Sequence, residues 1–145
     1  MAINAAEIEL ANAHGPFSHG TWTGKGVTIG NEEALTGRGA LIVSLIRSAI
    51  LERFSLDDLA EMALVDVGCY DGWVTCQLAQ QLPLRRLIGI EPRQKNIDKG
   101  RIVRELLDIE TRCEFRWGSI ENLSEVLQGQ QADIVICVGV LHHLR

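Results

Sequence analysis

The ten residues from Leu64 to Trp73, LVDVGCYDGW, constrain this chain more than any other stretch. Leu64, Val65, Asp66 and Val67 read as a short buried strand, and Gly68 through Gly72 as a turn. Trp73 to Leu82 is then an amphipathic run, with Val74, Leu78 and Leu82 on one face and Pro83 as its stop. Strand, glycine turn and helix in that order open a parallel α/β sheet. In such sheets the turn lies at the carboxyl end of the strand, where ligands bind beside the free N–H groups of the helix start. Gly68 and Gly72 lack a Cβ, so the backbone there can take positive φ or lie against a ligand. Asp66 falls at the strand end, where a carboxylate orders the loop or meets a ligand's ammonium group. Two glycines in such a place are also ordinary turn chemistry, and this stretch alone leaves both readings open.

A dinucleotide loop needs G-x-G-x-x-G, so that the backbone can approach a pyrophosphate and the helix can pack closely on the strand. Tyr70 and Trp73 occupy the second and third of those glycine positions, which disfavours an NAD-dependent oxidoreductase. Downstream, Arg86 to Glu91, RLIGIE, reads as a second strand, and Pro92 follows it as a good first helical residue. Glu91 can accept hydrogen bonds from the vicinal hydroxyls of a ribose, or it can simply cap the next helix. That helix is predicted from about Arg93 to Asp108, with Ile102, Val103, Leu106 and Leu107 apolar and Arg101/Glu105 and Arg104/Asp108 spaced as i,i+4 pairs. Arg112 to Trp117 reads as a third strand, and Ser119 as the N-cap of a short helix, Glu121 to Leu127. Ala132 to Val140, ADIVICVGV, has no polar face and predicts a fourth strand buried on both sides.

Upstream, Ala2 to Ala13 favours a short helix ended by Gly15-Pro16. The glycine-rich stretch up to Gly39 reads as a long loop, and with His14, His19, Trp22, Lys25 and Arg38 it is either a lid over a ligand or a mobile arm. Ile42, Leu45, Ile46, Ala49 and Ile50 recur at helical spacing. Ser55 then caps a second short helix to about Met62, with Asp57 and Asp58 in its first turn.

Taken with Glu91 at the end of the next strand, the acid-x-Gly-x-x-x-Gly pattern of Asp66, Gly68 and Gly72 resembles the nucleotide loop of class I S-adenosylmethionine-dependent methyltransferases. The resemblance implies a Rossmann-like, doubly wound α/β domain with strand order 3-2-1-4. Residues 64–145 form its partial core, and residues 1–63 supply helices and a glycine-rich loop that flank the sheet, one domain overall. It places S-adenosylmethionine against Asp66, Gly68, Cys69, Tyr70, Gly72, Glu91, Pro92, Ser119, Ile120 and Val138, with Ser119-Ile120 as the adenine-binding turn. Most members carry Gly where this chain has Tyr70, and many carry Asp where it has Ser119. Leu141-His142-His143-Leu144 resembles the family's segment after the fourth strand, which makes His142 and His143 candidates for a general base or for pocket walls. Trp22 and Gly26 to Gly30 loosely resemble the wobble-uridine tRNA-modifying members. The family's domain normally continues with about three more strands, which this chain lacks. The fourth strand would then be an exposed apolar edge unless a second copy, or a missing C-terminal half, covers it.

At 145 residues the chain fits one domain, and 46% apolar and 23% charged residues are ordinary for a soluble globular protein. A net charge of −5 with no basic cluster gives nucleic-acid binding no electrostatic support, which favours a small-molecule or sugar acceptor. Cys69, Cys76, Cys113 and Cys137 form no C-x-x-C pair and read as reduced residues of a cytoplasmic protein with no metal site. The start, MAINAAEIELAN, has no positive n-region and no long apolar run, so neither export nor a membrane span is expected. The reading is a methyltransferase for an unidentified acceptor, with a non-catalytic cofactor- or protein-binding module as the alternative.

Overall fold

Apolar runs alternating with amphipathic segments build one four-stranded parallel sheet. The computed structural model describes residues 21–22, 28–29, 38–138 and 140. The expected helix Ala2 to Ala13, most of the glycine-rich loop, and His142 and His143 lie outside the described residues. In chain order the elements begin with a small antiparallel pair, β1 (Thr21–Trp22) and β2 (Thr28–Ile29), which the sequence did not signal because each has two residues. Helices α1 (Arg38–Leu51) and α2 (Leu56–Glu61) follow. Then come β3 (Ala63–Val67), α3 (Trp73–Gln81), β4 (Arg86–Glu91), α4 (Gln94–Leu106) and β5 (Cys113–Trp117). A 3₁₀ turn (Ile120–Asn122), α5 (Leu123–Leu127) and β6 (Ile134–Ile136) complete the described part. The sheet order is β5-β4-β3-β6, which is 3-2-1-4 when the four core strands are counted alone.

Local chemistry sets the ends of α2. Ser55 Oγ accepts from the Asp58 N–H at 3.1 Å while Asp58 Oδ2 accepts from the Ser55 N–H at 3.0 Å, a reciprocal capping box. At the far end of α3, Arg112 donates to the carbonyls of Ala79 (2.7 Å), Leu82 (3.3 Å) and Leu84 (3.4 Å), satisfying acceptors that the helix leaves open.

One face of the sheet holds the main core. Leu64, Leu87, Cys113 and Phe115 meet Val43 and Ile50 of α1, Leu78 of α3, and Ile97 and Val103 of α4. The Phe115 ring fills space that three glycines leave open. A Cβ on Gly72 would come within 2.5 Å of it, one on Gly89 within 2.6 Å and one on Gly100 within 3.0 Å. Gly89 is the register partner of Phe115 on β4, so the ring sits over the strand between the start of α3 and the body of α4. On the opposite face Val65, Val67, Ile88 and Ile90 pack against Ile120, Leu123, Val126 and Leu127.

Three expectations need correction. The helix after β4 begins at Gln94 with Arg93 as N-cap, so Pro92 precedes the cap and is not the first helical residue. The Glu91 carboxylate accepts the Arg93 N–H, which holds the chain in a bend there. The long fourth strand contracts to Ile134–Ile136, and Val135 is 58% exposed. β6 pairs only with β3, over Leu64 to Asp66, and has no second neighbour among the described residues, so it alternates where double burial was expected. Arg101 pairs with Asp98 (3.7 Å) and donates to the Phe115 carbonyl, not to Glu105. Among the described residues no helix is long and apolar enough to cross a membrane.

Candidate functional site

β3 delivers Asp66 to the floor of a cavity of about 230 Å³ at the carboxyl end of the sheet. The chain then turns through Gly68 (φ 73°), Tyr70 (φ 55°) and Gly72 (φ 77°), three residues in the left-handed region. Glycine accepts that conformation freely, and tyrosine adopts it at a cost. The cavity is lined by Asp66, Gly68, Cys69, Tyr70 and Val138, all singled out from the sequence, together with Ile42, Asp71, Trp73 and Val74, which were not. Ile42 comes from α1, whose docking no local pattern foretells. Trp73 and Val74 belong to the first turn of α3 and were legible as the residues right after the glycine turn.

Asp66 is 3% exposed, and the Thr75 hydroxyl donates to its Oδ2 at 2.6 Å. Burial raises its pKa to about 6, and the Thr75 hydrogen bond offsets part of that rise. Burial also pushes the Cys69 thiol well up, helped by the nearby Asp66 and Glu91 carboxylates. The Cys76 thiol is held up by its hydrogen bond with Cys113 and by burial. These buried thiols are poor nucleophiles and form part of the packing.

Glu91 ends β4 and is 2% exposed. Its Oε2 accepts from the Tyr70 N–H at 3.2 Å, so the glycine turn of one strand is tied to the acid of the next. Its Oε1 accepts from the Arg93 side chain (Nε, 2.6 Å), the Arg93 N–H (3.2 Å) and Asn96 Nδ2 (3.2 Å). Arg93 also lies over the Tyr70 ring, 4.9 Å from its centroid. Neither Arg93 nor Asn96 was singled out from the sequence, since an i+2 or i+5 contact to a strand-end acid has no signature of its own.

The remaining candidates surround Glu91 without lining the cavity. Trp117 Nε1 donates to the Pro92 carbonyl at 2.8 Å, and the Gly118 N–H donates to the Glu91 carbonyl at 3.1 Å. Ser119 is thereby brought beside the end of β4, with its N–H on Asn122 Oδ1 (2.8 Å) and its hydroxyl on Glu121. Ile120 packs into the second core cluster. Gly72 serves packing. Its missing Cβ makes room for Phe115 and for Gly100 Cα, which would lie at 3.1 Å. Among the described residues no group of three His, Cys, Asp or Glu side chains has the arrangement of a metal site.

A family model described as a methyltransferase domain matches residues 58–145, more than half of the chain and all of this site except Ile42. The chain belongs to the methyltransferase-domain family. Among curated proteins, this methyltransferase domain is 31% identical over 81 residues to the O-antigen chain terminator bifunctional methyltransferase/kinase WbdD of Escherichia coli, covering 56% of this chain and 11% of that protein. It is 36% identical over 87 residues to the uncharacterized methyltransferase C1B3.06c of Schizosaccharomyces pombe, covering 57% of this chain and 31% of that protein. It thus spans a small part of the curated relatives it matches. Among solved structures, the N-terminal domain of EvdMO1 with SAH bound superposes with a TM-score of 0.72 at 22% identity, over 99% of this chain and 58% of that one. The fold is the Rossmann-like fold of these methyltransferases.

Proposed function

We propose that this chain binds S-adenosylmethionine across the carboxyl ends of β3 and β4 and transfers its methyl group to a small-molecule or sugar acceptor. The observation that carries the reading is the Tyr70 N–H on Glu91 Oε2, which sets two buried acids on either side of one loop. Asp66 faces the cavity with one described hydrogen bond, so it keeps acceptor sites for an ammonium group. Glu91 Oε2 carries one donor and has room for a ribose hydroxyl. A cavity of about 230 Å³ is below the roughly 300–1,000 Å³ of pockets that enclose a whole drug-sized ligand, and it fits the amino-acid end. Glu91, Pro92, Ser119 and Ile120 would hold the nucleoside.

When bound, the cofactor supplies a sulfonium methyl that is already activated for in-line transfer. The protein's part is chiefly positioning. Asp66 holds the ammonium end, Glu91 orients the ribose, and Ile42, Trp73 and Val138 exclude water around the donor. His142 or His143 takes the proton of the acceptor's hydroxyl. Similarity to an O-antigen chain terminator supports a sugar acceptor, and the net charge of −5 does not favour RNA. Four free cysteines, three of them buried, agree with a cytoplasmic setting.

Calorimetric titration of the full chain with S-adenosylhomocysteine (SAH), with NAD as control, tests the reading. SAH binding that Glu91→Gln weakens about tenfold, the loss of one charge-assisted hydrogen bond, is the expected result. Uptake of NAD without SAH would overturn it. Methyl transfer to a panel of sugars, abolished by His142→Ala or His143→Ala, separates the enzyme from a domain that only binds the cofactor.

A further inference from the structure

The carboxylate assigned to the ribose already carries a guanidinium. Four donors converge on Glu91, and they differ in what holds them. The N–H groups of Tyr70 and Arg93 belong to the backbone, and Asn96 is 6% exposed on the first turn of α4. These three are fixed, and they keep the carboxylate in place. The fourth, Arg93 Nε at 2.6 Å, makes the shortest contact and sits on the one movable arm, whose side chain is 62% exposed. The two oxygens are unequally loaded as well. Oε1 takes three donors and Oε2 takes one. A carboxylate offers about two acceptor positions per oxygen, so a single hydroxyl can join Oε2 within its acceptor capacity, while a second finds Oε1 full.

We propose that the Arg93 side chain is a built-in occupant of the second ribose-hydroxyl position on Glu91, so that a ribonucleoside cofactor must lift it off before both of its hydroxyls are bound. The proposal rests on the reading of Glu91 as the ribose acceptor. The arm can swing into water, since its side chain is 62% exposed, and the buried Glu91 carboxylate it leaves keeps three fixed donors and gains the incoming hydroxyl. The arm also has a perch. Tyr70, in the left-handed region (φ 55°), holds its ring beneath the guanidinium at 4.9 Å. A glycine at position 70 would offer the arm nothing to rest on. Tyr70 and Arg93 thus act together as a specificity device that charges an entry cost only to ligands that use both hydroxyls. A ligand with one ribose hydroxyl binds Oε2 and leaves the pair undisturbed.

SAH and its 2′-deoxy analogue, titrated calorimetrically into the full chain and into Arg93→Ala and Arg93→Met, test this. The methionine variant keeps the stem against Tyr70 and removes the donors. Both variants are expected to tighten SAH between about two- and tenfold, up to the worth of one charge-assisted hydrogen bond. Affinity for the deoxy analogue should change by less than about twofold, since only the dihydroxy ligand competes with the arm. If SAH binds the wild type and the variants bind it equally or more weakly, Arg93 is no competitor and this proposal falls while the cofactor reading stands. Equal tightening of both ligands overturns it too, because a general charge effect does not distinguish hydroxyls. If no protein binds either ligand, the cofactor reading itself fails and the proposal with it.

Discussion

Asp66→Asn is the substitution whose effect follows most directly from the structure. The Asp66 carboxyl is 3% exposed, and burial raises its pKa from 3.8 to about 6. A raised acid pKa means that the folded chain prefers the proton more than the unfolded chain does. The stability this group contributes is therefore fully present below about pH 3.8 and is lost as pH rises through about 6. At roughly 1.4 kcal/mol per tenfold change in proton affinity, the ionised form costs about 3 kcal/mol at neutral pH. Asparagine removes that cost and can still accept from the Thr75 hydroxyl, but its amide N–H groups need a partner, which returns about 1 kcal/mol. Asp66→Asn should thus gain about 2 kcal/mol at pH 7.5 and little or nothing at pH 4. Urea unfolding of both proteins from pH 4 to pH 8 measures this. The wild type should lose stability relative to the variant across the window between 3.8 and 6. A difference that is constant with pH would refute the reasoning. An ammonium group bound at Asp66 would draw the proton off, so wild-type affinity for SAH should also climb from pH 5 to pH 7 and that of the variant should not.

Gly72→Ala forces a side chain into a left-handed position (φ 77°) with its Cβ about 2.5 Å from the Phe115 ring, and it should cost about 2–4 kcal/mol in thermal or urea unfolding with no ligand present. Arg112→Ala leaves the carbonyls of Ala79, Leu82 and Leu84 without their donor, and a loss of about 2 kcal/mol, or a Tm lower by roughly 4–8 °C, is expected in differential scanning calorimetry. In the native protein at pH 8, a thiol reagent followed by mass spectrometry should label Cys137 first, because it is half-buried while Cys69, Cys76 and Cys113 are buried. Prior labelling of any of those three would contradict the packing described.

The parts that local sequence decides were legible. Arg86 to Glu91 is a strand to the residue, because its apolar run is bounded by Pro83 on one side and Pro92 on the other. Ser55 caps α2 as its hydroxyl and the following acids predict. The pairing of the glycine turn with Glu91 was foreseen as a spacing, and it is realised as the contact of the Tyr70 N–H with Oε2. What escaped depends on tertiary contact. Ile42 reaches the cavity only because α1 packs against α3, and periodicity shows that a helix has an apolar face, not where it lands. Among the described residues β6 lies at the sheet edge, as expected of a fourth strand with nothing beyond it to pair with, but its length and burial were overread because an apolar run carries no sign of whether it has one neighbour or two. Arg93 looked like part of a helix, and it serves instead as the N-cap residue, with its side chain folded back on the acid two residues earlier.

The ring of Phe115, lodged where three glycines lack a β-carbon, has a bearing on descent. Gly72 belongs to the loop by which such domains are recognised, yet here its identity is enforced by a phenyl group from another strand. Selection for a stable fold would keep that glycine in a lineage that had ceased to bind any nucleoside, and would let it vary only alongside residues 89, 100 and 115. For homologues of this chain, the informative letters for retained chemistry are therefore Asp66 and Glu91, acids buried at the carboxyl ends of β3 and β4 that the Phe115 ring does not enforce.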